Sequence, residues 1–271
     1  MRPGLPPQIA RYQRRVAGSL AGVWENVHDW EHLPWLHAGS FRSIALLEAG
    51  EWGWRARAGL PPRSHGSEPA GPEIEIELRL RPGAEAYDVT TLAGAGTGSV
   101  VATRLAPLGP DETGVDVRFH VPGVGGSSAD ALGAGYVALY TRLWDEDEAM
   151  IVERAKAEAS RPGPLRASLR LDLGPRAALG LPHCFELAGR PFQLVELGGT
   201  LVAHSATCPH RLGPLPAAST PRGCVVCPWH GHRFDVRTGR STDGRGERLS
   251  RAPVVRIGAD GRVEAVLEPG P

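Results

Sequence analysis

Apolar and polar positions alternate strictly over residues 73–81. Ile74, Ile76, Leu78 and Leu80 fall on one face, and Glu75, Glu77 and Arg79 on the other. That period of two predicts a half-buried antiparallel strand. Further strands are expected at 9–16, at two runs within 41–60 joined by a turn at Ala49-Gly50-Glu51, and at 87–93, 99–106 and 114–121. The Gly-rich 94–98 lies between two of these strands and predicts a hairpin turn, while 61–72 predicts a polar loop. Residues 123–128 precede a helix and read as a loop with a Ser cap rather than a phosphate cradle.

From 129 to 159 the period changes to that of a helix. Tyr136, Leu139, Tyr140, Leu143, Met150 and Ile151 make an apolar stripe, interrupted by the four acids 145–148. On a helical wheel Asp145 and Glu148 face away from the stripe and Glu146 sits at its edge, whereas Asp147 points into it. A carboxylate buried there needs a partner, and a metal ion would supply one. Several strands followed by a long helix predict a helix-grip domain with a cavity between sheet and helix, suited to an apolar small molecule. Residues 161–175 are rich in Pro, Gly and Arg and predict a linker, with domains at 1–160 and 176–271. The second domain is expected to be small and all-β. Strands at 184–187, 191–196 and 200–204 are separated by turns at Gly189-Arg190 and Gly198-Gly199. The overall class is α+β.

Residues 26–37 carry the first candidate chemistry. On a continuous helix Asn26, Asp29, His32 and His37 would share about 140° of one face. Pro34 is expected to kink it and help the two His converge. Two His and a carboxylate with positions left open is the usual set for a non-haem Fe(II) that activates oxygen. Asp147 is the candidate third ligand.

The second candidate is Cys208-Pro209-His210 with Cys227-Pro228-Trp229-His230-Gly231, 16 residues further on. Each half offers one Cys and one His. That set suits a [2Fe–2S] cluster, two thiolates on one iron and two imidazoles on the other. A structural zinc with the same four ligands is the alternative, though zinc fingers usually pair Cys with Cys and His with His. Cys184 and Cys224 are expected to be packing residues.

Composition bounds the rest. The 271 residues hold 30 basic and 30 acidic side chains, so bulk charge points neither to nucleic acid nor to an anionic membrane. Only one of the basic residues, Lys156, is lysine, and single arginines are therefore not read as phosphate sites. No apolar run is long enough to span a bilayer and none marks a signal peptide, so a cytoplasmic protein is expected.

Cys208-Pro209-His210-Arg211 with Cys227-Pro228-Trp229-His230-Gly231 and Arg233-Phe234-Asp235 resembles the Rieske domain of ring-hydroxylating Rieske non-haem iron oxygenases. Asn26, Asp29, His32 and His37 resemble the mononuclear iron motif of that family, and 146–153 resembles its later, carboxylate-bearing helix. The resemblance implies cluster ligands Cys208, His210, Cys227 and His230, and iron ligands His32, His37 and Asp147. It implies that Asp29 bridges a cluster His to an iron His, with Asn26 beside the iron. It further implies a separate NAD(P)H-dependent reductase or ferredoxin as electron source, O₂ and an apolar substrate, and a head-to-tail homotrimer. The chain departs from the family in three ways. The Rieske domain comes last, the chain is short, and His232 stands where a Trp usually follows His-Gly. Hydroxylation, dihydroxylation or oxidative demethylation would follow. Two other outcomes are an iron-dependent desaturase or cyclase, and a Rieske electron carrier or ligand binder without catalytic iron.

Overall fold

The computed structural model describes residues 4–62, 71–216 and 223–269. Most of the loop expected at 61–72 lies outside the described residues. The chain forms two compact units, Met1–Val152 and Glu153–Pro271.

The first unit begins with β1 (Gln8–Val16), followed by α1 (Leu20–His28) and α2 (Leu33–Leu36). Six strands come next: β2 (Ser43–Gly50), β3 (Gly53–Gly59), β4 (Glu73–Leu80), β5 (Ala86–Gly94), β6 (Val100–Gly109) and β7 (Glu112–His120). They form one antiparallel sheet in the order β1-β7-β6-β5-β4-β3-β2. Each of β2–β7 pairs with its sequence neighbour, and β1 returns to β7 at the far edge. The two short helices thus carry the chain from one edge of the sheet to the other. The long helix α3 (Gly126–Ala159) follows. It starts three residues earlier than the pattern predicts, with Ser127 and Ser128 inside its first turn.

This is the helix-grip arrangement. Its core joins Val16, Val117 and Phe119 of the sheet, Val23 of α1, and Trp144 and Ile151 of α3, all buried. Gly133 explains how closely α3 lies against β1, since a Cβ there would sit 2.9 Å from the Ile9 carbonyl oxygen. The alternation in β4 holds, with one addition. Glu77, expected on the outer face, is buried because Arg55 and Arg79 grip its carboxylate at 2.8 and 2.7 Å.

Among its described residues the second unit contains three small sheets. The first is β9 (His183–Leu187), β10 (Arg190–Leu197) and β11 (Thr200–Ser205). The second pairs β12 (Cys224–Val226) with β13 (Arg233–Asp235). The third holds β8 (Leu169–Pro175), β14 (Val254–Ile257) and β15 (Arg262–Leu267). Gly198 and Gly199 have φ of 60° and 78°, the left-handed pair that a tight hairpin demands.

Two expectations need correction. Residues 169–175, assigned to a linker at 161–175, form β8 and pair with β15 along its length. The pairing partner is some 90 residues away, so local composition carried no trace of it. Cys184 is exposed on β9, its thiol 2.9 Å from the Gln193 side-chain oxygen, and is not a core residue.

Candidate functional site

The segment 26–37 is not one helix. α1 stops at His28, and Asp29 takes an extended conformation (φ −85°, ψ 97°). Its carboxylate accepts a hydrogen bond from the Glu31 amide at 3.1 Å, an Asx turn that ends the helix. Pro34 then falls in the first turn of α2, where its missing N–H costs nothing. The proline starts a new helix where a mid-helix kink was expected. The break does what the kink was asked to do: the His32 and His37 ring centroids are 5.0 Å apart.

The cluster expected from sequence assembles. His37 Nε2 is 3.0 Å from Asp147 Oδ1 and His32 Nε2 is 3.5 Å from the same oxygen. Two ligands at about 2.1 Å from a metal and 90–110° apart stand about 3.0–3.4 Å from each other. One ligand atom from each residue lies within 4.8 Å of the others, and all three side chains are buried. Two neutral donors and one anion are the chemistry of a divalent iron site with open positions. These residues fit a mononuclear metal.

The surrounding groups orient the candidate ligands. His37 Nδ1 lies 2.6 Å from Glu146 Oε2, so the ring donates from Nδ1 and turns Nε2 toward Asp147. Burial pulls the His37 pKa down, but Asp147 and then Glu146 outweigh it and the net shift is upward. Asp29 Oδ1 is 3.9 Å from His32 Nδ1. Asn26 is buried, and its side-chain oxygen has no hydrogen-bond partner among the described residues.

Sequence reasoning left Glu146 at the edge of the stripe and gave it no role. A partner 109 residues away on another element leaves no local signal. It also placed Glu148 facing away. That side chain instead accepts the Ala17 amide at 2.7 Å and pairs with Arg14, tying α3 to β1.

The site opens on a pocket of about 130 Å³. Phe41, Trp54, Ile76, Leu78, Tyr87, Tyr140, Leu143 and Trp144 line it beside Asn26, Asp29 and the three candidate ligands. Burial pushes both phenols well above the usual tyrosine range.

In the second unit Cys208 and Cys227 are buried on facing loops. The first loop is closed by Cys208 N–H to Gly213 O at 2.8 Å, the second by Cys227 N–H to His232 O at 2.8 Å. The thiols interact directly, which together with burial pushes Cys208 up and, against burial, draws Cys227 down. The His210 and His230 ring centroids are 4.6 Å apart at 84°. Burial, then His230 and His232, lower the His210 pKa to about 4, which keeps the ring neutral. Its Nδ1 is buried with no hydrogen-bond partner among the described residues, a lone pair free for a metal. A Cβ on Gly213 would lie 2.8 Å from the Trp229 ring and 3.1 Å from Cys227 Sγ, so only glycine fits there. Two thiols, two imidazoles and a cradle of this tightness fit a [2Fe–2S] cluster.

His232 stacks on His210, with centroids 4.2 Å apart and planes 13° apart. Arg245 donates to His232 Nε2 at 3.0 Å, so His232 donates from Nδ1 to Glu247 at 2.5 Å.

Comparison with known proteins places these loops. Residues 172–252 match the family model described as the Rieske [2Fe-2S] domain. The C-terminal unit therefore contains a Rieske domain, whose span includes all four cluster ligands expected from sequence. No curated protein matches the chain. Solved structures that resemble it do so over about half its length, three of them as follows. A START superfamily protein from Mycobacterium smegmatis is 19% identical, covering 52% of this chain and 95% of that one (TM-score 0.41). The ZhuI aromatase/cyclase from Streptomyces sp. R1128 is 15% identical, covering 55% and 96% (0.42). Norcoclaurine synthase from Thalictrum flavum is 18% identical, covering 53% and 85% (0.39). Among the described residues no helix is long and apolar enough to cross a membrane.

Proposed function

We propose that the chain is a Rieske-type non-haem iron oxygenase. The observation that carries this reading is the buried His32–His37–Asp147 cluster facing an apolar cavity, in a chain that also contains a Rieske domain. His32, His37 and Asp147 would hold Fe(II), and Cys208, His210, Cys227 and His230 the cluster. When bound, the iron supplies activation of O₂ and the cluster supplies single electrons.

The chain's own residues divide the remaining work. Glu146 holds His37 in one tautomer and one orientation. The aromatic and aliphatic walls exclude water and hold an apolar substrate beside the open positions. Asp29, against His32 on the side away from Asp147, is the group through which electrons would reach the iron site. The electrons come from a separate reductase or ferredoxin, and a homotrimer is the proposed assembly. Hydroxylation, dihydroxylation or oxidative demethylation is the proposed outcome.

The test is the iron-to-sulfide ratio of anaerobically purified protein. About three irons per two acid-labile sulfides are expected. Asp147→Ala should lower this to about two and abolish turnover while the cluster spectrum stays unchanged. Two irons per two sulfides in the unaltered protein, even after Fe(II) is added, would overturn the oxygenase reading.

A further inference from the structure

One edge strand of the second unit lacks the usual protection. β11 is the outer strand of its sheet and pairs with β10 along its whole length without a bulge. Edges are ordinarily blunted by a charged side chain, a proline or a bulge. β11 reads Thr200-Leu201-Val202-Ala203-His204-Ser205 and has none of these.

The turn decides which backbone groups that edge offers. Gly198 and Gly199 close a two-residue hairpin, so Leu197 and Thr200 are the hydrogen-bonded pair nearest the turn. Bonded and open pairs alternate from there. Thr200, Val202 and His204 therefore bond to β10, while Leu201 and Ala203 turn their N–H and C=O groups outward. Among the described residues these outward groups have no partner. Ala203 is 6% exposed, and a shielded backbone amide ordinarily finds a hydrogen bond.

A groove is lined by all six residues of β11 together with 236–239 and 248–255. Its lining holds three arginines and, among the described residues, no acid. Arg251 is engaged with Glu268 at 3.4 Å. Arg237 and Arg248 are exposed, and their guanidinium groups donate to the carbonyls of Leu197 at 3.1 Å and Thr238 at 3.2 Å. Among the described residues no carboxylate pairs with either. In a chain with equal numbers of acids and bases this is a local excess of positive charge. A second copy of β11 could pair with the edge but brings no acid to the arginines. An extended chain bearing carboxylates satisfies both.

We propose that this groove receives an extended, acidic segment of a partner protein, added as a further strand on the outer edge of β11 with its carboxylates against Arg237 and Arg248. β11 ends three residues before Cys208, so the docked segment lies along the strand that feeds the first cluster loop. Such docking does not depend on the mononuclear iron.

The experiment is fluorescence anisotropy on the full-length, cluster-containing protein at low salt. The labelled probes are a short peptide alternating glutamate and valine, the same peptide with lysine for glutamate, the glutamate peptide N-methylated throughout, and an oligothymidylate. The glutamate peptide should bind saturably and slow hydrogen exchange at the Leu201 and Ala203 amides. N-methylation removes its backbone donors and should weaken binding by about tenfold or more, the effect of one or two lost hydrogen bonds. The lysine peptide and the oligonucleotide should not saturate. The double variant Arg237→Ala, Arg248→Ala should bind the glutamate peptide about tenfold more weakly, with the difference shrinking at high salt. Both side chains are exposed, and an unchanged Rieske absorption spectrum will show that the variant is folded. The proposal is overturned if the glutamate peptide does not bind or leaves the two amides unprotected. It is equally overturned if the N-methylated, lysine or nucleotide probe binds as tightly, or if the double variant keeps full affinity. A dimer paired through β11 that the glutamate peptide cannot dissociate would overturn it in favour of a second copy.

Discussion

The Nδ1 atom of His37 lies 2.6 Å from the Glu146 carboxylate, and the Nε2 atom of the same ring lies 3.0 Å from Asp147. Two adjacent acids on α3 thus hold the two ends of one imidazole. Successive helix positions differ by 100°, so a ring lying across the face can meet both. Glu146 is placed to orient the ring, and Asp147 is the proposed ligand.

Glu146→Ala should therefore weaken Fe(II) binding at this site by about 10–100-fold, the usual effect of removing a carboxylate behind a metal-bound His. Glu146→Gln keeps an acceptor for the Nδ1 proton and should lose less. Co(II) titration, followed by its visible absorption, reads affinity independently of turnover. Equal affinities in all three proteins would remove Glu146 from the site.

Gly213→Ala should cost the cluster. The added methyl meets the Trp229 ring at 2.8 Å and Cys227 Sγ at 3.1 Å, where neither neighbour can retreat from a buried loop. The expected result is a purified protein with its sulfide content reduced several-fold. Iron at the His32–His37–Asp147 site should be retained, because that site belongs to the other unit. Full sulfide content would show that the loop yields more easily than its burial suggests.

These contacts mark where sequence reading succeeds and where it stops. Period-two alternation found β4, and period-3.6 apolarity found α3 and turned Asp147 inward. Both are local signals, set by residues within a few positions of each other. The Cys-Pro-His and Cys-Pro-Trp-His halves were legible because cluster ligation fixes residue type at short spacing. The break after His28 was missed, since an Asx turn at Asp29 competes with helix through a single side chain. The pairing of β8 with β15, the ion pairs that bury Glu77 and the hold of Glu146 on His37 were also out of reach. Each joins residues that only the folded topology brings together.

His232 and Glu247 make a further prediction. Glu247 is acidic, within 4.8 Å of His210 through one ligand-capable atom, and hydrogen-bonded to the ring stacked on His210. A negative charge so close disfavours adding an electron to the cluster. Glu247→Gln keeps the hydrogen bond and removes the charge, so the reduction potential should rise by about 20–60 mV. Protein-film voltammetry reads this directly. A potential that stays put or falls would mean that Arg245 already cancels the charge.

Glu77 governs a pH-dependent share of stability in the first unit. Hydrogen bonds from Arg79, opposed by burial and reinforced by Arg55, lower its pKa to about 2. A carboxylate depressed on folding stabilises the native state above its unfolded pKa, about 4.3, and loses that contribution as pH falls through the folded value. Glu77→Gln should therefore cost about 2 kcal/mol at pH 7, a figure kept modest because Arg55 and Arg79 remain partly exposed. The difference between variant and unaltered protein should hold from pH 7 to about 5 and shrink steadily toward pH 2. Six of the seven tryptophans, at 24, 30, 35, 52, 54 and 144, lie in the first unit, so urea titrations followed by intrinsic fluorescence report on it selectively. If the cost of the substitution were the same at pH 7 and pH 3, Glu77 would act through packing, and the two arginines would not be what holds it inside the sheet.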